Sequence, residues 1–275
     1  MTENVGPDAQ ATAGLYADDT LGITSATSWD SIDEGMTVIA DNLATYSNCN
    51  GLILNKNKTQ TLRLGHKDTS PCETLNVLGV EINRTGGFSN HHANMLTNLK
   101  QRTGAIRRLT TVMPRGKLHT EIARSLVVGK LQVASWITRE ARLEPRNPSS
   151  DDIAAQRVMN SLGRTLLGVK RSDRYRVTDL VDRANLPTVN QIVVKGAALA
   201  AWKAQNGGPL ADLLEDFDGR TRGCANNLTK PASSRCIAAK NLADVWNHCE
   251  ALRQAKTIHE AKREAAKLAT KVRHL

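Results

Sequence analysis

Aromatic side chains are scarce in this 275-residue chain: two Phe, four Trp and three Tyr, scattered from end to end. Sequence-tolerant binding of single-stranded bases relies on rings that stack successive bases, so this scarcity argues against a stacking platform. Cysteine is sparse too. The five present (Cys49, Cys72, Cys224, Cys236, Cys249) are odd in number and never spaced as Cys-x-x-Cys. Reduced thiols are therefore expected rather than a disulfide framework, and the spacings around His248 and His259 fit no compact zinc knuckle. No apolar run approaches the roughly 18 residues of a membrane span. The opening Met1-Thr2-Glu3-Asn4 is unlike a signal peptide, so an intracellular protein, nuclear or cytoplasmic, with no membrane partner is expected. Acidic residues are the last shortage, and a local one: residues 100–146 hold 3 of them against 11 basic ones. Residues 1–99 reverse the balance with 11 acidic and 5 basic, and residues 147–275 return to 21 basic against 13 acidic, giving +10 overall. A basic part joined to an acidic part points to a polyanionic partner.

What is present starts with Tyr16-Ala17-Asp18-Asp19, set between Leu15 and the run Leu21 to Ile23. Neighbouring side chains on a regular strand point to opposite faces, so adjacent aspartates serve one site only where the chain turns sharply. At a hairpin tip, Asp18 and Asp19 could hold Mg²⁺, a hard cation that takes oxygen ligands. Hydrophobic periodicity supplies the setting. Residues 12–25 read as a β-hairpin, after which Ser28 or Ser31 caps a helix with Asp30, Asp33 and Glu34 in its first turns. Trp29, Ile32, Met36, Ile39, Leu43 and Tyr46 recur every three or four positions, and Gly51 ends the helix. Residues 59–64 alternate and residues 75–82 are β-rich, which predicts two more strands separated by a loop with Pro71.

From Ser89 the pattern is helical. Leu96, Leu99, Ile106 and Leu109 form one stripe with Lys100, Arg107 and Arg108 beside it. A second helix is predicted over 117–141, with Leu118, Ile122, Leu126 and Ile137 inward and Lys130, Arg139 and Arg142 free for solvent or phosphate. Pro145, Pro148, Ser149 and Ser150 read as a linker. Further helices are expected from Asp151 to Gly168, from 188 to 204 and from 238 to 272, with a mobile loop over 205–235.

In order along the chain, these segments resemble the palm motifs of reverse transcriptases from non-LTR retrotransposons. Tyr16-Ala17-Asp18-Asp19 matches the metal-binding YxDD hairpin, and Gly51-Leu52-Ile53-Leu54-Asn55-Lys56-Asn57-Lys58-Thr59 looks like the family's GLxLNxxKT segment. Leu75 to Ile82 is similar to the primer-gripping strand, usually FLGV, with Val77 in place of the aromatic. His91 or His92 and the run Leu96 to Leu109 look like the opening of the thumb. Gln156 to Met159, Leu166 to Val169 and Ala198 to Lys203 resemble the region after it, so the likeness covers nearly all of residues 14–270. Asp8 lies in a Gly-Pro-Asp turn, the wrong setting for the family's other metal-binding aspartate.

The resemblance implies an α+β fold. A partial palm (1–88), a small antiparallel sheet of the hairpin plus two strands, precedes thumb helices (89–146) and a helical connection region (147–275). It implies two-metal nucleotidyl transfer with Mg²⁺ held by Asp18 and Asp19, and Lys58 near the pyrophosphate. Leu78, Gly79 and Val80 would place the primer end, and Lys100, Arg107, Arg108 and Lys130 would hold the duplex of RNA template and DNA primer. The fingers and the first palm aspartate are not recognised here. The expectation is therefore a carboxyl-terminal part of an RNA-directed DNA polymerase, inactive alone and partnered by the remaining polymerase half. The alternative is a non-catalytic nucleic-acid-binding protein derived from such an element.

Overall fold

The computed structural model describes residues 2–4, 9–16, 19–55, 57–64, 72–144, 147–216, 229–233 and 236–272. The chain is α+β and divides into two compact units, Met1–Gly87 and Phe88–Leu275.

In the first unit, β1 (Thr2–Asn4), β2 (Gln10–Tyr16) and β3 (Asp19–Ser25) form an antiparallel sheet in that order. β2 and β3 pair from Gln10 opposite Ser25 to Tyr16 opposite Asp19, the hairpin expected over 12–25. Helix α1 (Trp29–Cys49) packs on β2 and β3 at two glycines. A Cβ at Gly22 would lie 2.7 Å from Ile39 Cγ2, and one at Gly35 would lie 2.5 Å from Thr24 Cγ2. Any larger residue would push helix and sheet apart. Ser28 is the N-cap, its hydroxyl accepting from the Ser31 amide at 3.2 Å. At the other end Gly51 has φ 64, with Leu52 N donating to Ser47 O and Gly51 N to Asn48 O, a Schellman closure. Of the expected stripe, Ile39 is buried and Trp29, Ile32, Met36 and Leu43 are half-buried, but Tyr46 is exposed.

Two strand expectations need correction. Residues 59–64 pair with no strand among the described residues. Arg63 turns to α1 instead, donating to Asp33 Oδ1 at 2.7 Å with its guanidinium 5.9 Å from the centre of the Trp29 ring. Residues 75–82 are not one strand of a shared sheet but a separate hairpin, β4 (Thr74–Val77) with β5 (Val80–Asn83), turned at Leu78-Gly79.

The second unit is helical: α2 (Ser89–Leu109), α3 (Lys117–Ala123), a π-helical turn (Arg124–Val128), α4 (Gly129–Gln132), α5 (Ser135–Thr138), α6 (Ser150–Leu167), α7 (Val177–Arg183), α8 (Val189–Gln205), α9 (Ile237–His248), α10 (Glu250–Arg253) and α11 (Ile258–Lys271). Residues from both sides of Pro145 share one core, in which Met95, Leu99 and Ile106 of α2 meet Val127, Leu131 and, from α6, Met159 and Leu162. A second core joins α8, α9 and α11 through Val193, Ala197, Ala201, Leu242, Trp246 and Leu268. Caps mark both ends of α6 and the start of α8. Ser149 accepts from Asp152 N, Gly168 closes α6 with φ 70, and Thr188 and Gln191 form a capping box at α8.

The helix expected over 117–141 is broken. Val133 has ψ 121 and Ala134 φ 57, and the following backbone bonds to side chains instead of continuing a helix. Asn241 Nδ2 donates to Trp136 O and Arg139 O, both at 2.7 Å, and Asn241 Oδ1 accepts from Ala141 N at 2.7 Å. Asn190 likewise accepts from Arg142 N and donates to Arg142 O. Upstream, the buried row is His119, Ala123, Val127 and Leu131, so Leu118 and Leu126, expected inward, are exposed. Arg139, expected at the surface, is buried, with Nη1 2.6 Å from Asp152 Oδ1. The region 205–235 contains a 3₁₀ turn (Ala211–Leu213) and paired strands β6 (Leu214–Asp216) and β7 (Thr229–Pro231), while 217–228 and 234–235 lie outside the described residues. The closing helix is also interrupted, at Cys249 (φ −117, ψ 90) and again before Thr257, which caps α11. No helix among the described residues is long and apolar enough to cross a membrane.

Because removing one partner strands a buried charge, Arg139→Ala is expected to lower stability by about 3–5 kcal/mol. Urea unfolding should show it, and Arg139→Met combined with Asp152→Leu should recover most of the loss.

Candidate metal and nucleic-acid sites

Asp19 opens β3 directly opposite Tyr16, at the end of the ladder. Its side chain is exposed, and no ion pair of Asp19 is found among the described residues. Asp18 and Ala17 lie outside the described residues. Among the described residues no group of three or more His, Cys, Asp or Glu is placed to hold a metal ion. An exposed carboxylate at the end of the β2–β3 ladder offers oxygen ligands of the type a hard cation takes.

Lys58 stands in a turn organised by Asn55, whose carbonyl accepts from Lys58 N at 3.0 Å and Thr59 N at 3.2 Å, while Asn55 Oδ1 accepts from Asn57 N at 3.1 Å. The Lys58 side chain is exposed, and it forms no ion pair with Asp19. Lys56 lies outside the described residues.

Leu78 and Gly79 are the two central residues of the β4–β5 hairpin, with Val77 opposite Val80. Both have positive φ, 50 for Leu78 and 81 for Gly79, as a type I′ turn requires. Asn76 Oδ1 braces the turn by accepting from Gly79 N at 2.9 Å. Glycine is at home there; leucine is not, since an L-residue in the left-handed region costs roughly 1–2 kcal/mol. Leu78 is also 53 % exposed, so no burial offsets that cost. An exposed apolar side chain held in a strained position at a hairpin tip fits a contact role better than a packing one. Val80 starts the returning strand and is half-buried.

The cationic residues belong to the second unit. Lys100, Arg107 and Arg108 are exposed on α2, away from the buried row Met95, Leu99, Thr103 and Ile106. At about 100° per residue, Lys100 and Arg107 fall within about 20° of one another and Arg108 lies beside them. Among the described residues none of the three forms an ion pair. Lys130 is half-exposed on α4. Other basic residues of the same stretch serve the fold. Arg102 Nη1 donates to Leu126 O at 2.8 Å within the π-helical turn, Arg115 Nε donates to Thr165 O at 3.1 Å, and Arg139 pairs with Asp152. Sequence reading did not foresee these roles. The row His119, Ala123, Val127 and Leu131, spaced by four, was the available signal, because it turns Leu118 outward and moves every later position round the helix. An open cleft beside α9 is lined by Arg142, Glu144, Asp244 and His248, a mixture of signs that selects neither phosphate nor cation.

Comparison with known proteins returns no matching family model, no matching curated protein and no matching solved structure.

Relief of the strained turn gives a direct check on Leu78. Leu78→Asn is expected to stabilise the chain by about 1 kcal/mol in urea unfolding, since Asn tolerates the left-handed region. A destabilised variant would mean that the leucine is held by packing.

Proposed function

We propose that this chain carries the acidic hairpin and the duplex-holding helices of a non-LTR retrotransposon reverse transcriptase, an RNA-directed DNA polymerase. The observation that supports the reading most is the ladder β2–β3, which runs to Tyr16 and Asp19 and leaves the Asp19 carboxylate exposed at its end. The order of motifs from Tyr16 to Leu109 supports it further.

In this reading Asp18 and Asp19 hold Mg²⁺, which when bound neutralises charge on phosphoryl oxygens. Lys58 brings an ammonium to the leaving pyrophosphate, where it offsets charge or donates a proton. The Leu78-Gly79 tip, with Val80 behind it, presses against the primer end, and glycine lets the nucleic-acid backbone come close. Lys100, Arg107, Arg108 and Lys130 contact phosphates of the RNA–DNA duplex, contacts that position without reading sequence. The fingers and the further aspartate of the two-metal site come from another polymerase segment.

The reading is tested by complementation. With Mg²⁺ and a primed RNA template, the chain mixed with a fingers-and-palm polypeptide of this family is expected to extend the primer. Asp18→Ala with Asp19→Ala is expected to cut that extension at least about 100-fold, about 2.7 kcal/mol at the barrier. Extension that is indifferent to both aspartates would overturn the reading. Duplex binding is expected to fall steeply with salt, and Lys100→Ala with Arg107→Ala and Arg108→Ala should flatten the slope of log K against log salt by about 2.7. Duplex binding that survives the aspartate changes, in a chain that never supports extension, would leave the second reading, a non-catalytic nucleic-acid-binding protein.

A further inference from the structure

Helix α11 has two dissimilar faces. Ala261, Ala265, Leu268 and Ala269 are buried against the rest of the second unit, through a core shared with α8 and α9. The opposite face carries His259, Lys262, Arg263, Ala266, Lys267, Thr270 and Lys271, all exposed. These positions together cover the outward half of the helix, a broad stripe about 18 Å long from 259 to 271. An ordinary solvated helix face intersperses both signs. Here the two acids of the helix are drawn off to structural work. Glu260 caps the helix start, its carboxylate accepting from Lys256 N at 2.7 Å and its amide donating to Thr257 Oγ1. Glu264 lies largely covered at the flank of the stripe, accepting from Lys267 Nζ at 2.8 Å and Arg263 Nε at 3.1 Å. The Lys267 hydrogen bond, opposed by burial and helped by Arg263, holds the Glu264 carboxyl below the usual carboxylate range. Four cations, Lys262, Arg263, Lys267 and Lys271, are therefore spread over the outward half of the helix, with Glu260 and Glu264 toward one edge of it.

We propose that the outward stripe of α11 is a docking surface for the phosphate backbone of double-helical nucleic acid, separate from the cationic row on α2. Charge complementarity selects a polyanion. The absence of any large apolar side chain from the stripe argues against a lipid surface, into which an interfacial helix must insert apolar groups. With no aromatic residue there is nothing to stack unpaired bases, so a duplex, which packs one charge per about 1.7 Å of axis, is favoured over a single strand. Side chains that reach only phosphates hold a duplex without reading its sequence.

The surface is independent of the polymerase reading and can be tested without catalysis. The probe is a fluorescent duplex of about 20 base pairs, titrated with the full chain from about 50 to about 200 mM salt. The combined variant Lys262→Ala, Lys267→Ala and Lys271→Ala is expected to flatten the slope of log K against log salt by about 2.7, with an unchanged circular dichroism spectrum. Glu264→Gln should act in the opposite sense and tighten binding severalfold. An unchanged slope in the triple variant, equal affinity for an unpaired strand of the same length, or capture by phosphatidylserine vesicles in preference to the duplex would each overturn the proposal. Since the α2 variant removes a different row, loss of slope there with none from α11 would overturn this surface alone, and the converse would leave it standing.

Discussion

The second unit depends on how it satisfies the backbone where helix gives way to extended chain between Val133 and Arg142. A buried amide without a partner is costly, so a break inside a packed helical unit needs a substitute for every hydrogen bond it removes. Asn241 supplies three at once, to Trp136, Arg139 and Ala141, and Asn190 supplies two to Arg142. Both asparagines are almost fully buried, on α9 and α8, so the break is tied to the two helices that carry the second core. The Arg139–Asp152 pair then fastens the same segment to the start of α6, which belongs to the first core. One irregular segment thus joins both cores, and neither half of the second unit closes its polar accounts without the other.

The same demand explains the uses of arginine. Short helices leave many terminal carbonyls without partners, and a guanidinium can reach two at once. Arg164 Nη1 donates to Lys170 O and Asp173 O, and Arg253 Nη1 donates to Trp246 O and Asn247 O where α9 ends. With Arg102, Arg115 and Arg139 also committed, a fair part of the excess positive charge holds the fold together. Net charge therefore overstates what is available to a polyanion. Exposed cations include a lysine and two arginines on α2, mainly lysines on α11, and a further group at Lys170, Arg171, Arg174 and Arg176, and lysine suits contact with phosphates whose geometry is not fixed in advance.

Local signals were legible wherever one residue type settles a local geometry. Ser28 and Thr188 marked helix starts, Gly51 and Gly168 marked ends, and the hairpin around residues 16–19 was visible from the acid pair and its apolar flanks. Legibility failed where the outcome rests on partners distant in sequence. Nothing within residues 117–141 announces that Asn190 and Asn241 will break the helix, because those side chains lie about fifty and a hundred residues downstream. Alternation in 59–64 satisfies a strand pattern, yet a strand also needs a neighbour, and Arg63 finds Asp33 and Trp29 instead. Leu78-Gly79 read as part of a strand because leucine is rare at positive φ; the cue was Asn76, whose side chain can brace a turn two or three residues on. Of the candidate site, residue identities could be read from sequence, but not which cations the fold would claim for itself.

Segregation of charge gives the acidic hairpin its chemical character. A carboxylate already paired with a guanidinium, as Asp33 is with Arg63, has its lone pairs engaged and its charge neutralised, and makes a poor ligand for a hard cation. Among the described residues Asp19 has no such partner, and the 1–99 stretch around it holds few cations that could serve as one. A carboxylate exposed at the end of a ladder, in a stretch depleted of lysine and arginine, is the kind of ligand that the proposed Mg²⁺ site needs. In the proposed function the cations that meet phosphate belong to helices later in the chain. A protein that must hold metal and polyanion together gains from that division, because a lysine or arginine placed beside the carboxylates would compete with the ion for them.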